Sequence, residues 1–531
     1  MLDDAPALER PPEVRPSTPA PLDWLRPLVT CVQPASREAW PVQAPFDGTL
    51  VGTVPRCTEA DVAWAFRRAR EAQAAWAAQP VRQRAAVLLR LHDLILKAQA
   101  SVLNVIQAEA GKARIHGFEE IIEVALSARH YGLRAPRLLR TQRRRGLVPG
   151  LTAVREHRVP TGVVGLIAPW NYPLAMTISD ALPALVAGNA VVVKPAEETP
   201  FTALLGKHLL REAGVPPEVF QVVTGLGEQL GPSIIREADV VAFTGSSETG
   251  RLIGEQAGAQ LTKCSLELGG KNALLVLDDA DLAVTADGAV RACFANAGQL
   301  CVATERLYVP RAHYDAFLTL FKQRTEALRL SSAFTYTADI GSLISADQFA
   351  KVHAHVTDAV ARGATVVTGG HPRPDLGPYF YAPTVLTDVT PAMRVAQEET
   401  FGPVVSVYPY DTLEAALEAI NDTPFGLNAS IWTRRPSRGQ AVAARVQCGT
   451  VNVNDGYSAA YASVDAPMGG MKTSGLGRRH GAEGLLKFTE AQTVAVQRGL
   501  PLAPPPGVSV SLFTRGVTAG LRLVRNLPGL R

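Results

Sequence analysis

The sequence has little cysteine for its length, with six cysteines in 531 residues. They stand at Cys31, Cys57, Cys264, Cys293, Cys301 and Cys448. Six widely spaced cysteines do not form the framework of a disulfide-rich domain, and no two of them have the CxxC spacing of a metal site. We therefore expect reduced cysteines, no metal requirement and a cytoplasmic protein.

The sequence also lacks a long apolar run. The longest stretch with a single charged residue runs from Gly162 to Val193, and Pro169, Pro173 and Pro183 interrupt it. A membrane-spanning helix would not carry these prolines together with the polar residues between them. The N-terminus is acidic and proline-rich, without the apolar core of a secretory signal. We expect neither a membrane span nor a signal peptide.

A strong excess of charge of one sign is absent as well. Lys and Arg number 53 against 49 Asp and Glu, which leaves +4. The excess comes from a tail with no acidic residue, through Arg515, Arg522, Arg525 and Arg531. This balance excludes a dedicated nucleic-acid binder. The tail also holds a short apolar segment, so it either packs on its own domain or makes a weak contact with a membrane surface.

The N-terminal third is predicted to be mostly helical. Residues 1–30 are rich in proline without periodicity, which is typical of a loosely ordered arm. Apolar residues then recur at three- and four-residue spacing from about Glu59 to Leu139. Arg143, Arg144 and Arg145 close this region, either as a solvated turn or as an anion site.

Short β-branched runs alternate with helical segments in the middle of the chain. The predicted strands are Val163–Ile167, Ala190–Val193, Phe220–Val223, Val240–Phe243 and Cys264–Leu266. The predicted helices between them lie near Leu174–Ala187, Phe201–Ala213, Glu228–Arg236 and Glu248–Gln256. This alternation predicts an α/β fold with a parallel sheet, whose ligands bind beyond the carboxyl ends of the strands.

A second α/β lobe is predicted after the first. Its strands lie near Leu274–Leu277, Arg306–Val309, Thr365–Val367 and Val404–Tyr408. Its helices lie near Asp281–Ala297 and Tyr314–Leu328, with another that begins at Leu413. Residues 484–497 end in the alternation of a strand that is able to pair with another chain.

Polar motifs follow each of the five predicted strands of the first sheet. In chain order they are PWNYP from Pro169, KPAE from Lys194, TGLG from Thr224, FTGSSETG from Phe243 and ELGGK from Glu267. Five such motifs on one sheet edge indicate a site of dinucleotide size. The loop Gly245–Gly250 precedes a helix and is suited to a pyrophosphate, although it lacks the middle glycine of GxGxxG and is also compatible with a structural turn. Lys194 and Glu197 are placed to hydrogen-bond a ribose.

Cys301 and Glu267 are the candidates for chemistry. A lone cysteine is usually an inert core residue, and Glu267 in its apolar setting is also compatible with a strand-end salt bridge. A carboxyl group that burial desolvates is, however, a better base near neutral pH. Only the other polar motifs of the sequence indicate that Cys301 and Glu267 are catalytic and not structural residues.

Six motifs together carry a resemblance to a known family. PWNYP, KPAEETP, FTGSSETG, LELGGK, GQLC and EETFGPV occur in the order and spacing of the aldehyde dehydrogenase superfamily, over about residues 35–498. Within it the chain is most similar to bacterial succinate-semialdehyde dehydrogenases, through GTVNVNDGY and APMGGMKTSGLGRRHGAEGLLKFTE. The resemblance implies a Rossmann-type cofactor domain (31–145 and 160–268), a catalytic domain (269–480), a β oligomerisation arm (146–159 and 481–500) and a basic tail (501–531).

The resemblance also implies a mechanism. The Cys301 thiolate attacks the aldehyde, and the Asn171 amide with the Cys301 backbone N–H stabilises the oxyanion. Hydride transfer leaves a thioester, and Glu267 activates the water that releases the acid. The implied cofactor-binding residues are Trp170, Lys194, Glu197, Gly227, Gly245, Ser246, Leu268, Glu399 and Phe401. The family is usually dimeric or tetrameric, so a homodimer or homotetramer is expected.

Cofactor and substrate preferences follow from single positions. Glu197 beside the ribose would repel a 2′-phosphate, which favours NAD over NADP. Ser179 and Ala295 stand where better-known succinate-semialdehyde dehydrogenases have arginines, so they predict a wide tunnel and, as the alternative, an enzyme for bulky aldehydes. The other expected tunnel residues are Tyr172, Met176, Tyr457 and Tyr461. A CoA-acylating enzyme is less favoured because it needs no base such as Glu267.

Overall fold

The computed structural model of the chain describes residues 22–32, 38–146, 152–498 and 503–525. The strands are β1 (Ala39–Gln43), β2 (Leu50–Pro55), β3 (Gln142–Arg144), β4 (Thr152–Pro160), β5 (Val163–Ile167), β6 (Ala190–Lys194), β7 (Phe220–Val222), β8 (Val240–Thr244), β9 (Lys263–Glu267), β10 (Asn272–Val276), β11 (Thr304–Pro310), β12 (Thr365–Thr368), β13 (Thr384–Thr387), β14 (Val404–Tyr410), β15 (Asn428–Trp432), β16 (Thr450–Val453), β17 (Gly475–Leu476) and β18 (Thr489–Gln497).

The α-helices are α1 (Glu59–Ala78), α2 (Val81–Lys97), α3 (Gln99–Ala110), α4 (Arg114–Leu138), α5 (Ala181–Ala187), α6 (Pro200–Ala213), α7 (Gly227–Glu237), α8 (Ser247–Ala259), α9 (Leu282–Phe294), α10 (Tyr314–Glu326), α11 (Ala346–Ala361), α12 (Arg394–Gln397), α13 (Leu413–Asn421), α14 (Pro436–Ala443), α15 (Ser458–Tyr461), α16 (Gly481–Leu486) and α17 (Val510–Val524). A π-helix spans Ala175–Ser179, and short 3-10 helices span Leu22–Leu28, Ala295–Gly298, Arg311–His313 and Lys472–Ser474.

The first sheet has the order β17-β9-β8-β5-β6-β7. Strands β5 to β9 run parallel, and every residue of β5 and β6 is buried. Near-continuous β-branched runs form such strands because helices cover both faces of a parallel sheet. All five strands predicted for this sheet are confirmed. The edge strand β17 was not predicted, and it pairs antiparallel with β9, from within the segment expected to belong to the catalytic domain.

The second sheet has seven strands in the order β12-β13-β14-β11-β10-β15-β16, parallel except for β12. Its core includes Phe294, Phe317, Phe321 and Trp432. The four strands predicted for the second lobe are present, whereas β13, β15 and β16 were missed. Thr, Asn or Ser residues flank or interrupt the apolar residues of these three strands, so the strands lack a continuous apolar run.

Contacts between Cα atoms divide the described chain into two units. The first contains the chain up to Leu138 and Pro160–Thr489, and it holds both large sheets. The second contains Leu139–Val159 and the described residues from Glu490 onward, with the three-stranded sheet β18-β4-β3 and helix α17. Helix α17 exposes more than 60% of Leu512, Leu521 and Leu523. No described helix has the length and apolarity needed to cross a bilayer.

Two predictions for the N-terminal third are wrong. Residues 22–30 were expected in a loosely ordered arm, but they include a 3-10 helix whose Leu22, Leu25 and Leu28 are buried. The rest of that arm lies outside the described residues. The expected turn at Arg143 to Arg145 is instead mostly strand β3, because it pairs antiparallel with β4 and Arg144 reaches Glu156 at 2.6 Å.

A third prediction, a helix from Asp281 through Ala297, is wrong at its C-terminal end. Helix α9 ends at Phe294, and Asn296 and Ala297 adopt left-handed backbone angles with φ of 51° and 56°. Gly298 continues this turn at φ 71°, and a Cβ there would lie 2.0 Å from the Gly402 carbonyl oxygen. The chain therefore leaves the helix in a tight, strained turn just before Cys301.

Candidate active site

The order of the first sheet places a crevice at its centre. The chain leaves β5 toward β6 on one side and returns to β8 on the other, so the carboxyl ends of β5 and β8 flank a topological switch point. Ligands of open α/β sheets bind at such points. Trp170 and Asn171 follow β5, and Gly245 and Ser246 follow β8. The motifs predicted to share one edge are thus brought together.

A groove of about 1310 Å³ runs along this edge. Lys194 and Glu197 line it, and Lys194 Nζ lies 2.9 Å from Glu197 Oε1. The same carboxylate oxygen accepts a 2.6 Å hydrogen bond from the Gly227 backbone N–H. The ammonium and carboxylate groups are suited to ribose hydroxyls. Lys194, Glu197 and Gly227, which were predicted to bind the cofactor, therefore lie together in this groove.

The middle of the groove is the N-terminal end of α8. Ser246 is the N-cap, and its Oγ accepts a 3.1 Å hydrogen bond from the Thr249 backbone N–H. The Gly245 N–H donates to the Glu267 carbonyl oxygen at 3.1 Å, which fixes the loop against β9. The remaining amides of the first turn carry the partial positive charge that favours a pyrophosphate. The donor set along the groove fits a dinucleotide.

A second cavity of about 660 Å³ shares Trp170, Gly245 and Ser246 with the groove. It is lined by Pro169, Trp170, Asn171, Thr244, Gly245, Ser246, Glu267, Leu268, Gly269, Cys301, Gln348, Lys351, Glu399 and Phe401. The three predicted catalytic residues therefore line one cavity that adjoins the groove. Gln348 and Lys351, both from α11, were missed because nothing in their helical pattern distinguishes them from surface residues.

Glu399 and Phe401, which were expected to hold the second ribose, both line this cavity. Glu399 Oε1 accepts a 2.7 Å hydrogen bond from the Gly270 N–H, and burial raises the pKa of this carboxyl to about 7. Phe401 has φ 55° and packs edge-on against Trp170 with ring centroids 5.5 Å apart. Its strained backbone is held by Glu305, which accepts the Phe401 N–H at 2.8 Å.

Cys301 follows the left-handed turn and packs against an apolar cluster. Burial raises the pKa of its thiol to about 12, and the positive charge of Arg479 opposes that rise. The thiol is therefore protonated at neutral pH, and forming the thiolate needs a proton acceptor in the same cavity.

Hydrogen bonds hold both the side-chain amide and the backbone carbonyl of Asn171. Its Nδ2 donates to the Gln299 carbonyl oxygen at 3.1 Å, and its own carbonyl oxygen accepts from Lys112 Nζ at 2.5 Å. Lys112 is fully buried and pairs with Glu120 at 2.7 Å. The amide expected to stabilise an oxyanion is thus fixed next to the turn that carries Cys301. Lys112 was not predicted, because it lies in a loop between two helices, 59 residues before Asn171 in the sequence.

Glu267 ends β9 and is buried. Burial raises the pKa of its carboxyl to about 7, with Lys487 and Arg479 opposing the rise. Its Oε1 has no hydrogen-bond partner among the described residues. Gly469 makes room for this oxygen, since a Cβ there would lie 2.7 Å from it. An unpartnered carboxylate that titrates near neutrality is the expected state of a general base.

The expected tunnel residues are all buried. Tyr172, Met176, Ala295, Tyr457 and Tyr461 belong to the apolar cluster that contacts Cys301, and Ser179 is buried as well. The hydroxyls of Tyr172 and Tyr457 both donate to Glu119, at 2.7 Å and 2.9 Å. The phenol rings share their cluster with the small Ala295. A wide entrance therefore gains no support from this packing and stays a prediction.

One buried group outside the groove has ligand-like atoms. Cys31, Cys57 and Asp61 place them within 4.8 Å of one another. Asp61 is already used at the start of α1, where its carboxylate accepts the Thr58 N–H at 2.7 Å and the Val32 N–H at 2.8 Å. Both oxygens of Asp61 therefore accept backbone hydrogen bonds, one of them in the cap of α1.

Comparison with known proteins gives a consistent result. Residues 31–494 match the model of the aldehyde dehydrogenase family. The chain belongs to the aldehyde dehydrogenase family. It is 50% identical, over 95% of this chain and 98% of the relative, to a Mycolicibacterium smegmatis protein named "Putative succinate-semialdehyde dehydrogenase" with NADP(+) as its stated cofactor. It is 35% identical, over 85% and 93%, to the succinate semialdehyde dehydrogenase of Acinetobacter baylyi.

Solved structures of aldehyde dehydrogenases and related enzymes have the same fold. An Escherichia coli NADP-dependent enzyme is 35% identical with a TM-score of 0.83, and it covers 87% of this chain and 95% of its own. The NAD+ complex of a Bacillus cereus aldehyde dehydrogenase is 33% identical with a TM-score of 0.82, over 87% and 93%. This aldehyde dehydrogenase is thus an oxidoreductase of the NAD(P)-dependent class, and the α/β fold expected from the sequence is confirmed.

Proposed function

We propose that the protein oxidises succinate semialdehyde to succinate with a nicotinamide dinucleotide, through Cys301, Asn171 and Glu267. One observation carries the proposal: these three side chains line a single cavity that adjoins a groove of dinucleotide size. The names of two relatives, at 50% and 35% identity, support the choice of substrate.

Each of the three residues has one task in this reaction. Glu267 takes the thiol proton, and the Cys301 sulfur bonds to the aldehyde carbon to give a thiohemiacetal whose oxyanion accepts a hydrogen bond from Asn171 Nδ2. A dinucleotide held by Lys194, Glu197 and Glu399 would supply the hydride acceptor for this carbon, and loss of the hydride would leave a thioester on Cys301. Glu267 releases the thiol proton to solvent and then deprotonates a water that attacks the thioester, and the acid leaves as the C–S bond breaks and Cys301 is released as the thiolate.

The cofactor groove supports binding of either dinucleotide. Glu197 would repel a 2′-phosphate, which favours NAD, but Lys194 and the Gly227 N–H already compensate part of its charge. The NADP(+) in the name of the M. smegmatis relative does not confirm the NAD preference. We propose that NAD is used, with Lys194 available to a 2′-phosphate when NADP binds.

Two other reactions use the same nucleophile. A broad-specificity enzyme for bulky aldehydes needs a wide tunnel, whereas the large side chains of Tyr457 and Tyr461 belong to the apolar cluster against which Cys301 packs. A CoA-acylating enzyme passes the thioester to CoA, and it needs no general base. The unpartnered, buried Glu267 favours hydrolysis.

A substrate panel tests the proposal. Purified enzyme is assayed for kcat/KM with succinate semialdehyde, butanal, a long-chain aldehyde and an aryl aldehyde, with NAD and NADP in parallel and Cys301→Ala as the blank. We expect succinate semialdehyde to give the highest kcat/KM and free succinate as the product. A preference for the long-chain or aryl aldehyde, or formation of acyl-CoA without free acid, would refute it.

We also propose two kinds of partner. Strand β18 carries exposed Val494 and Val496, so it is suited to contacts with a second copy in a homodimer or homotetramer. Helix α17 combines exposed leucines with Arg515 and Arg522, and no acidic residue follows Glu490. That charge suits a weak contact with an anionic membrane surface. Light scattering and co-sedimentation with phosphatidylglycerol vesicles test the two.

A further inference from the structure

Arg479 is a buried cation beside the expected substrate tunnel. Only 7% of its side chain is exposed. Its backbone is fixed by reciprocal hydrogen bonds with Met468, at 2.9 Å and 2.8 Å. Its Nη2 lies 2.7 Å from Asp180 Oδ1 and 3.9 Å from Glu123 Oε1. Glu123 is also taken by His480 at 2.7 Å, so Asp180 is the one close acid of Arg479 among the described residues.

The rest of the guanidinium is poorly satisfied. Its Nη1 is 3.3 Å from the Met176 sulfur, which is a weak acceptor, and its Nε has no hydrogen-bond partner among the described residues. Buried donors of a charged group without partners are costly to a fold. A guanidinium with such unsatisfied donors is suited to bind a hydrogen-bond acceptor group of a ligand.

Two further donors in the same region are unpartnered. Tyr461 Oη and Ser179 Oγ are both buried without a hydrogen-bond partner among the described residues. Ser179 directly precedes Asp180, the acid that holds Arg479, and the Tyr461 ring lies 6.3 Å from that of Tyr172. Three buried donor groups without good acceptors therefore come from three separate segments of the chain.

Arg479 and Tyr461 are linked to the apolar cluster against which the nucleophile packs. Met176, which Arg479 Nη1 contacts, belongs with Tyr461 to the apolar cluster that Cys301 packs against. In a four-carbon semialdehyde, three C–C bonds of about 1.5 Å separate the aldehyde carbon from the carboxylate carbon. A chain of this length spans one side chain, and Met176 is flexible enough to move aside.

We infer that Arg479, with Tyr461 and Ser179, forms the receptor for a carboxylate at the far end of the aldehyde substrate. The inference rests on the proposed function and deepens it by naming the residues that select an acidic aldehyde. Arg479 Nη1 and Nε donate to the carboxylate, and the two hydroxyls donate to its remaining lone pairs. Asp180 is a positioning residue that keeps the guanidinium in place through Nη2.

A purely structural role for Arg479 predicts a different result. If the guanidinium only balances Asp180 and Glu123, its replacement affects every aldehyde alike. If it binds the substrate carboxylate, its replacement affects only aldehydes that carry one. The ratio of kcat/KM for succinate semialdehyde to that for butanal separates these two roles, because the two substrates have the same chain length.

The experiment measures this ratio in the full-length enzyme. We expect Arg479→Met to lower the ratio by at least about 100-fold through KM for succinate semialdehyde. Loss of the Arg479 charge, which also acts on Cys301 and Glu267, should change kcat for both aldehydes alike and cancel in the ratio. Arg479→Lys is expected to recover part of the ratio, and Tyr461→Phe to lower it about 5-fold. As a matched control, Arg478→Met removes the adjacent arginine, whose Nη1 donates to the Gly470 and Gly477 carbonyls, and leaves the ratio unchanged.

A second measurement covers the case in which Arg479→Met does not fold. Succinate is then compared with butyrate as an inhibitor of butanal oxidation, in the wild-type enzyme and in Tyr461→Phe. Weaker succinate inhibition in Tyr461→Phe supports the receptor, whereas equal inhibition by the two acids in the wild type overturns it. An unchanged ratio in folded Arg479→Met also overturns it. A wild type without preference for succinate semialdehyde refutes the proposed substrate itself, which is a separate outcome.

Discussion

The two ends of the active site differ in how their polar groups are used. At the dinucleotide end, Glu197 and Glu399 already accept hydrogen bonds from the backbone N–H groups of Gly227 and Gly270. At the substrate end, Tyr461 and Arg479 keep donors without acceptors. The first end is therefore arranged in advance by the protein. The second end is left for a ligand to complete.

The largest effect is expected from removal of the Cys301 sulfur, which takes part in the reaction with both the substrate and the dinucleotide. Cys301→Ala removes the sulfur that bonds to the aldehyde, so kcat should fall at least about 10⁴-fold. The dinucleotide end should be untouched, and cofactor binding followed by fluorescence should stay within twofold of the wild type. Residual turnover above about 1% would show that another group is the nucleophile.

Replacing the base should slow both halves of the reaction, because Glu267 takes the thiol proton before it activates water. Glu267→Gln is expected to lower kcat about 10²- to 10⁴-fold, and the burst of reduced cofactor should slow together with thioester hydrolysis. Because the pKa of the Glu267 carboxyl is raised to about 7, its basic form is lost as pH falls through 7. The wild-type rate should therefore drop below pH 7. Stopped-flow profiles in which the variant keeps this acid limb would contradict the assignment.

The oxyanion donor should matter less than the nucleophile or the base. Asn171→Ala removes one fixed donor, which typically costs about 10²- to 10³-fold in kcat. Asn171→Asp is a harsher control, because a carboxylate repels the developing oxyanion. A kcat for Asn171→Ala within fivefold of the wild type, measured at saturating aldehyde, would exclude this role.

The smallest effect is expected in cofactor choice. Glu197→Ser removes a carboxylate beside the ribose and frees Lys194, so kcat/KM for NADP relative to NAD should rise about tenfold. Glu228→Ser, which removes a neighbouring acid that also lines the groove, serves as the matched control and should leave the ratio unchanged. An equal rise in both variants would indicate a general charge effect.

The sequence predicts the dinucleotide end better than the substrate end, for a physical reason. In a parallel sheet, residues that follow successive strands meet at one edge, so five motifs after five strands identify the groove. Arg479 lies about 300 residues from Met176 and comes to it through the edge strand β17, whose two residues carry no recognisable pattern. The turn before Cys301 was missed for a similar reason, since its left-handed angles depend on tertiary contacts and Ala297 is a good helix former.

The hydrogen bond from Lys112 to the Asn171 carbonyl oxygen connects the N-terminal helices to a catalytic residue, although these helices supply no catalytic side chain themselves. The loop between α3 and α4 carries no group that reaches the substrate, but its ammonium holds the Asn171 carbonyl at 2.5 Å. A shift of α4 that moves Glu120 would thus rotate the amide that faces the reacting carbon. Turnover can then be tuned by substitutions in helices remote from the cavity, without altering any residue that a ligand touches.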